Sequence, residues 1–153
     1  MKTNTSMSYQ IKLNLPEGWK SKTEVLDEAG DTVTRLEAYL PDDAARKDLA
    51  EIDICVGPMP GDSDAQEQAL LNYTEMVGFD DDDPEDQDPL TVWPFAGKKA
   101  YGFEALCEDD SPMRVMCVSV RQGVLAIITV VGDTDERLSE VVKLVERMKV
   151  TQE

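Results

Sequence analysis

The alternation of apolar and polar residues is clearest at residues 9–15, where Tyr-Gln-Ile-Lys-Leu-Asn-Leu places every second side chain on one face. This period predicts a strand with one buried face. Pro16 and Gly18 then end the pattern, because proline lacks a donor for a ladder and glycine permits a turn. We expect Trp19 to pack where the chain re-enters the core.

Seven further segments have the composition of strands, and turn residues separate them. They are residues 23–28, 32–40, 49–56, 90–95, 99–107, 113–120 and 124–131. Several of them, such as 124–131, are apolar on both sides. A strand of this kind needs cover on each face of its sheet, and helices are the natural cover.

A first helix is predicted after residue 62. Ser63 or Asp64 is its expected N-cap, with Gln66 or Glu67 three residues later, and Gly78 is expected to end it. Its apolar positions recur at helical spacing and are Ala65, Ala69, Tyr73, Met76 and Val77.

A second helix is predicted over residues 132–150. Asp133 lies three residues before Glu136, which is the spacing of a capping box, and Arg147 and Lys149 place positive charge at the C-terminus. One apolar stripe contains Leu138, Val141, Val142, Val145 and Met148.

The elements therefore follow the order β-β-β-β-α-β-β-β-β-α, and the short links imply antiparallel neighbours. We predict an α+β fold, an antiparallel β-sheet flanked by helices, formed by residues 1–153 as a single domain. Residues 1–8 are expected to be flexible, and residues 79–89 are expected to form an acidic loop.

Three segments together resemble the Mog/PsbP-like superfamily. They are YQIKLNLPEGW near the N-terminus, the VWPFAGKKAYGFEA hairpin leading into VMCVSVRQGVLAIITVV, and the closing VVKLVERMKV. The resemblance covers residues 9–150 and implies an α/β/α sandwich and a bacterial member of the superfamily. It further implies an adaptor or accessory role, since members include a Ran-GTPase-binding factor, a photosystem subunit and chaperones of secreted effectors. The acidic insertion of residues 80–88 departs from the common pattern of the family.

The charge balance limits the partners. Thirty-two acidic residues oppose 15 basic ones, a formal net charge of −17. Nucleic acid and anionic membranes should be repelled, because both are bound chiefly through Lys and Arg. We expect a protein partner, and a basic one would be attracted. The alternative is that the charge serves solubility alone.

Localisation and redox state follow from what precedes the first strand and from the cysteines. No apolar stretch of signal-peptide length stands before residue 9, and nowhere do 18 apolar residues run together, so a cytoplasmic protein is expected. Cys55, Cys107 and Cys117 each lie in an apolar segment, which favours reduced thiols. A Cys107–Cys117 disulfide across a hairpin is the less favoured alternative, and the oligomeric state stays open.

Carboxylates are densest between residues 80 and 88. The seven acidic residues there are Asp80, Asp81, Asp82, Asp83, Glu85, Asp86 and Asp88. The segment could be a solvated loop, a partner-docking surface or a weak cation site. A calcium loop starting at Asp81 fails, since Asp86 stands where glycine belongs and Val92 at the twelfth position. These seven residues are the candidate partner-binding residues, and we expect no metal site.

Few residues of the sequence match the patterns of known catalytic sites. The chain has no histidine, which removes the most frequent general acid/base and the triads that depend on it. Gly97-Lys98 lacks the rest of a P-loop, and helix capping explains Ser63. We therefore expect no cofactor, no catalytic residues and no enzymatic activity.

The sequence thus predicts a non-catalytic protein-binding module: an adaptor, a chaperone or an immunity-type inhibitor with an acidic recognition surface. Alternatives are a domain that binds a small ligand or divalent cation, using residues 80–88 or a pocket near Trp93, and an enzyme that uses carboxylates alone. Trp19 and Trp93 are otherwise expected as core anchors. Met113, Met116 and Met148 are expected to fill the core, or alternatively to form a plastic binding groove.

Overall fold

A computed structural model describes residues 9–28, 31–42, 47–59, 63–76, 90–107, 110–121 and 123–152. Within these ranges the chain forms nine strands and two helices. The strands are β1 (Tyr9–Lys12), β2 (Lys20–Glu28), β3 (Asp31–Asp42), β4 (Lys47–Pro58), β5 (Thr91–Phe95), β6 (Lys98–Leu106), β7 (Pro112–Arg121), β8 (Val124–Gly132) and β9 (Lys149–Gln152). The helices are α1 (Ala65–Met76) and α2 (Asp135–Glu146). The predicted α+β class is confirmed.

Seven of these strands form one antiparallel sheet in the order β2-β3-β4-β8-β7-β6-β5. The two meanders β2–β4 and β5–β8 follow from the short stretches of sequence that separate neighbouring strands. They join where β4 pairs with β8, and Ile54 lies opposite Ile128 at the middle of that ladder. Both residues are fully buried, so the join between the meanders lies at the centre of the core.

The two helices cover opposite faces of this sheet. Ile128 and Val130 of β8 belong to a large apolar cluster that contains the buried side of α2. Leu125 and Ile127 belong to a smaller cluster that contains the buried side of α1. Because successive side chains of a strand point to opposite faces, the two clusters lie on either side of the sheet. This arrangement explains why residues 124–131 are apolar at almost every position.

The C-terminal helix is shorter than predicted. It ends at Glu146 rather than at residue 150, and Lys149–Gln152 forms β9, which the sequence pattern did not indicate. Strand β9 pairs with β1 in a separate two-stranded sheet, where Ile11 lies opposite Val150. This pairing joins opposite ends of the chain, so local periodicity could not reveal it. Met148 still packs against the large cluster, just beyond the helix.

The start of α2 also differs by one residue from the predicted capping box. Thr134 is the N-cap, and its hydroxyl oxygen accepts a hydrogen bond from the Arg137 backbone N–H at 3.1 Å. The Asp133 carboxylate instead accepts from the Arg137 guanidinium at 3.3 Å. The helix therefore begins later, and Asp135 and Glu136 both lie in its first turn, where negative charge suits the helix dipole.

The first strand was predicted to reach residue 15 but ends at Lys12, because its partner β9 has only four residues. The burial pattern nevertheless continues: Leu13 and Leu15 are half-buried against the large cluster, and Asn14 is exposed. Trp19 packs on the same cluster, as predicted. The alternation thus identified the buried face correctly beyond the point where the ladder stops.

Candidate functional site

The seven acidic residues that the sequence singled out lie outside the described residues. Asp80, Asp81, Asp82, Asp83, Glu85, Asp86 and Asp88 fall between the end of α1 and the start of β5. Their role as partner-binding residues therefore stays a prediction. In the sequence, the segment begins four residues after Met76, the last residue of α1.

Helix α1 is placed by a cap and by small residues. The Asp64 carboxylate accepts a hydrogen bond from the Glu67 N–H at 2.8 Å, so Asp64 rather than Ser63 is the N-cap. Ala65 and Ala69 are buried on the sheet beside Leu125. Because alanine is short, it lets the helix backbone come close to the strands beneath.

The sides of α1 are held by two different strands. The Tyr73 and Phe103 rings meet edge to face at 5.2 Å between centroids, which joins the helix to β6. On β7, the Cys117 thiol lies 3.9 Å from the Asn72 side-chain amide, which also donates to the Gln68 carbonyl at 2.8 Å. These contacts fix the rotation of α1 about its own axis. They therefore determine which of its side chains point away from the sheet.

The outer face of α1, defined as Glu67, Leu70, Leu71 and Glu75, combines apolar and acidic groups. Leu70 is 37% exposed and Leu71 is 51% exposed. Glu67 and Glu75 are exposed as well, and the helix contains no lysine or arginine. The sequence pattern did not indicate this face, although the predicted stripe through Ala65, Ala69 and Tyr73 leaves both leucines off the buried side.

A cavity of about 250 Å³ opens where the N-terminus of α1 meets the sheet. Its described lining residues are Asp64, Ala65 and Gln66 from the helix end and Lys98, Lys99, Tyr101 and Ser119 from β6 and β7. Ammonium and hydroxyl groups can donate hydrogen bonds to a small polar molecule. Asp64 is the one carboxylate among these described residues, and it already caps the helix.

The part of the sheet formed by β2, β3 and β4 carries exposed ion pairs on the face that α1 occupies elsewhere. Arg35 makes two hydrogen bonds to the Asp53 carboxylate, at 3.2 and 2.7 Å, and lies 3.7 Å from Glu37. The hydrogen bond and charge of Asp53 raise the pKa of the Arg35 guanidinium above its ordinary value. Lys22 and Glu24 pair at 2.7 Å on β2. Such exposed pairs contribute little to stability but give the surface a fixed charge pattern.

Both tryptophans and the methionines Met113, Met116 and Met148 are wholly or partly buried. Trp19 and Trp93 are half-buried against the large cluster, and neither is among the described residues that line the cavity. The Arg114 guanidinium stacks 4.2 Å from the Trp93 ring centroid. Met116 is fully buried, which confirms it as core filler, while Met113 is half-buried.

The described carboxylates and thiols form neither a metal-binding group nor a disulfide. Among the described residues, no group of three or more His, Cys, Asp or Glu side chains is placed to hold a metal ion. All three cysteines are described, and they carry thiols rather than disulfides. Cys117 lies opposite Tyr101 in the β6–β7 ladder, and Cys107 lies beyond the end of that ladder. Neither α1 nor α2 is long and apolar enough to cross a membrane.

Comparisons with protein-family models, with curated proteins and with solved structures found no match.

Proposed function

We propose that this protein is a non-catalytic protein-binding module that presents an acidic surface to a basic protein partner. The observation that carries the proposal is that the exposed side of α1 is acidic and that an acidic segment follows the helix in the sequence. The helix exposes carboxylates and has no basic residue, and in the sequence the seven acidic residues of the segment 80–88 follow it after residues 77–79. In a chain with a formal net charge of −17, this arrangement would attract a basic protein surface from a distance.

The proposal includes the Mog/PsbP-like fold and the roles known in that superfamily. An antiparallel sheet with helices on both faces supports the predicted α/β/α sandwich. Adaptor, secretion chaperone and immunity-type inhibitor are three forms of the same function, since each requires a docking surface and no chemistry. We place the protein in the bacterial cytoplasm, where its three thiols would stay reduced.

The test is an affinity pull-down from a lysate of the source organism. One bait is the intact protein, and a second carries Asp80, Asp81, Asp82 and Asp83 changed to Asn. A matched control removes four exposed carboxylates elsewhere, by amide substitutions at Glu17, Asp110, Glu136 and Glu140. A partner lost with the second bait and kept with the control supports the proposal.

Two results would count against it. Equal loss with the control would show that total charge, and not the segment 80–88, attracts the partner. No partner with any bait would favour the alternative that the segment is a solvated loop and the charge serves solubility.

A second candidate function is small-ligand binding, and the cavity between α1 and the sheet favours it. Lys98, Lys99, Tyr101 and Ser119 would supply the polar contacts that orient a small molecule. The substitution Lys99→Gln should then abolish the heat of binding of such a ligand in calorimetry.

A divalent-cation version places the ion at residues 80–88 instead. Absence of both heat and a shift in melting temperature with millimolar calcium would eliminate that version.

A further inference from the structure

The two helices have the same length but differ in what they turn towards solvent. Helix α2 exposes charged residues of both signs: Asp135, Glu136, Glu140 and Lys143. Among its described residues there is no exposed large hydrophobic side chain. The outer face of α1 instead exposes two leucines and carries charge of one sign. A helix whose outer face serves only to contact water is expected to resemble α2.

The exposed groups of α1 have a regular spacing. Leu71 lies four residues after Glu67 and four residues before Glu75, so the three side chains form one row along the helix. Neighbours in that row are separated by about 6 Å along the axis. Among the described residues, no lysine or arginine lies within ion-pair distance of Glu67 or Glu75. The row therefore places an apolar side chain between two carboxylates. No described lysine or arginine neutralises either carboxylate.

We propose that the outer face of α1 docks a basic amphipathic helix of the partner protein, in which an apolar residue is flanked by Lys or Arg four residues away on each side. The inference rests on the proposed protein-binding function and specifies its contact surface. The spacing of such a partner matches the row of Glu67, Leu71 and Glu75, and Leu70 widens the apolar contact. Charge favours this occupant over a second copy of the chain, since two copies with a net charge of −17 repel each other.

The acidic segment 80–88 follows the same helix in the sequence. It begins four residues after Met76, the last residue of α1, and so lies next to the docking row in sequence. The charge of the protein would attract a basic partner helix, while Leu71 and Leu70 would supply the apolar contact, which depends on shape. Total charge and the position of Leu71 therefore make separable contributions.

The test uses a fluorescent synthetic peptide as the probe. It is helical, carries a central leucine with arginines four residues before and after it, and is titrated with the full chain by anisotropy at low and high salt. The substitution Leu71→Gln should weaken binding about fivefold, because the half-exposed side chain loses apolar contact in the complex. The double substitution Glu67→Gln/Glu75→Gln should weaken it about tenfold and reduce the salt dependence. The charge-matched control Glu136→Gln/Glu140→Gln on α2 should change it less than about twofold.

The outcomes separate this inference from the proposed function. Equal weakening by the α1 and α2 charge pairs, with no effect of Leu71→Gln, would overturn the α1 site and leave a general acidic surface in place. Failure of the probe to bind the unsubstituted protein at low salt would also overturn the site, whereas the pull-down judges the proposed function independently. Circular dichroism of each variant excludes unfolding as the cause of lost binding.

Discussion

The Cys117 thiol offers a test of how α1 sits on the sheet. It belongs to β7, is 0% exposed, and lies in the small cluster with Ala65, Ala69 and Leu125. Burial raises the pKa of the Cys117 thiol to about 12, from an ordinary value of 9.0. Because the thiolate is the reactive species, a thiol reagent should attack Cys117 only when α1 lifts from the sheet or the protein unfolds.

The size of the effect follows from the two pKa values. At pH 8, a thiol with a pKa of 9.0 is ionised in about one molecule in ten, and one with a pKa of about 12 in about one in ten thousand. Reaction with a thiol reagent should therefore slow by about a thousandfold on this ground alone. Exclusion of the reagent from the cluster would slow it further.

The assay needs Cys117 as the sole thiol. A Cys55→Ser/Cys107→Ser variant is treated with a chromogenic disulfide reagent at pH 8, with and without a denaturing concentration of urea. We expect one equivalent to react within seconds in urea and on a far slower time scale in buffer.

Fast reaction of Cys117 in the folded protein would contradict its burial beneath α1. If Cys117 in the folded variant reacts within about tenfold of its rate in urea, then burial does not raise the pKa of the thiol and α1 does not cover it. The Cys117→Ala form of the same variant serves as the blank, since any colour it produces comes from other groups.

Three further predictions concern stability. The free energy of unfolding should fall as pH rises above 9.0, because the unfolded chain releases the Cys117 proton there while the folded chain keeps it until about 12; an identical pH dependence in Cys117→Ala would contradict this. Ile54→Ala, at a site that is 0% exposed, should lower the free energy of unfolding in urea by about 3–5 kcal/mol. Leu106→Ala, at a site that is 66% exposed, should lower it by less than about 1 kcal/mol. Similar decreases for the two substitutions would contradict the assignment of Ile54 to the core. Thr134→Ala should lower the free energy of unfolding by about 1 kcal/mol through loss of the α2 cap, while Ser139→Ala, exposed within α2, should leave it nearly unchanged in the same assay.

Local patterns in the sequence predicted both helices and eight strands, which are β1 and the seven strands of the two meanders. Each of these elements depends on periodicity and on turn residues that are close in sequence. Strand β9 was missed for the opposite reason. Val150 pairs with Ile11 across almost the whole chain, and its segment also continues the helical spacing of α2. Once Arg147 caps the helix, the apolar character of Val150 serves a ladder instead.

The candidate site was predicted less completely than the fold. Composition identified the acidic segment 80–88, but its seven residues lie outside the described part of the chain. The outer face of α1 was not predicted, because the spacing of Ala65, Ala69 and Tyr73 indicates only which side of the helix is buried. The cavity could not be predicted at all, since Asp64 and Lys99 meet there only through the packing of α1 on the sheet.

The most direct test of the acidic recognition surface is the association rate constant between this protein and the partner recovered by pull-down, measured from low to high sodium chloride concentration. We predict that the association rate constant decreases at least about tenfold as salt rises, with a smaller change in the dissociation rate constant, because salt screens the attraction that steers the partners together. An association rate that does not change with salt would contradict the account.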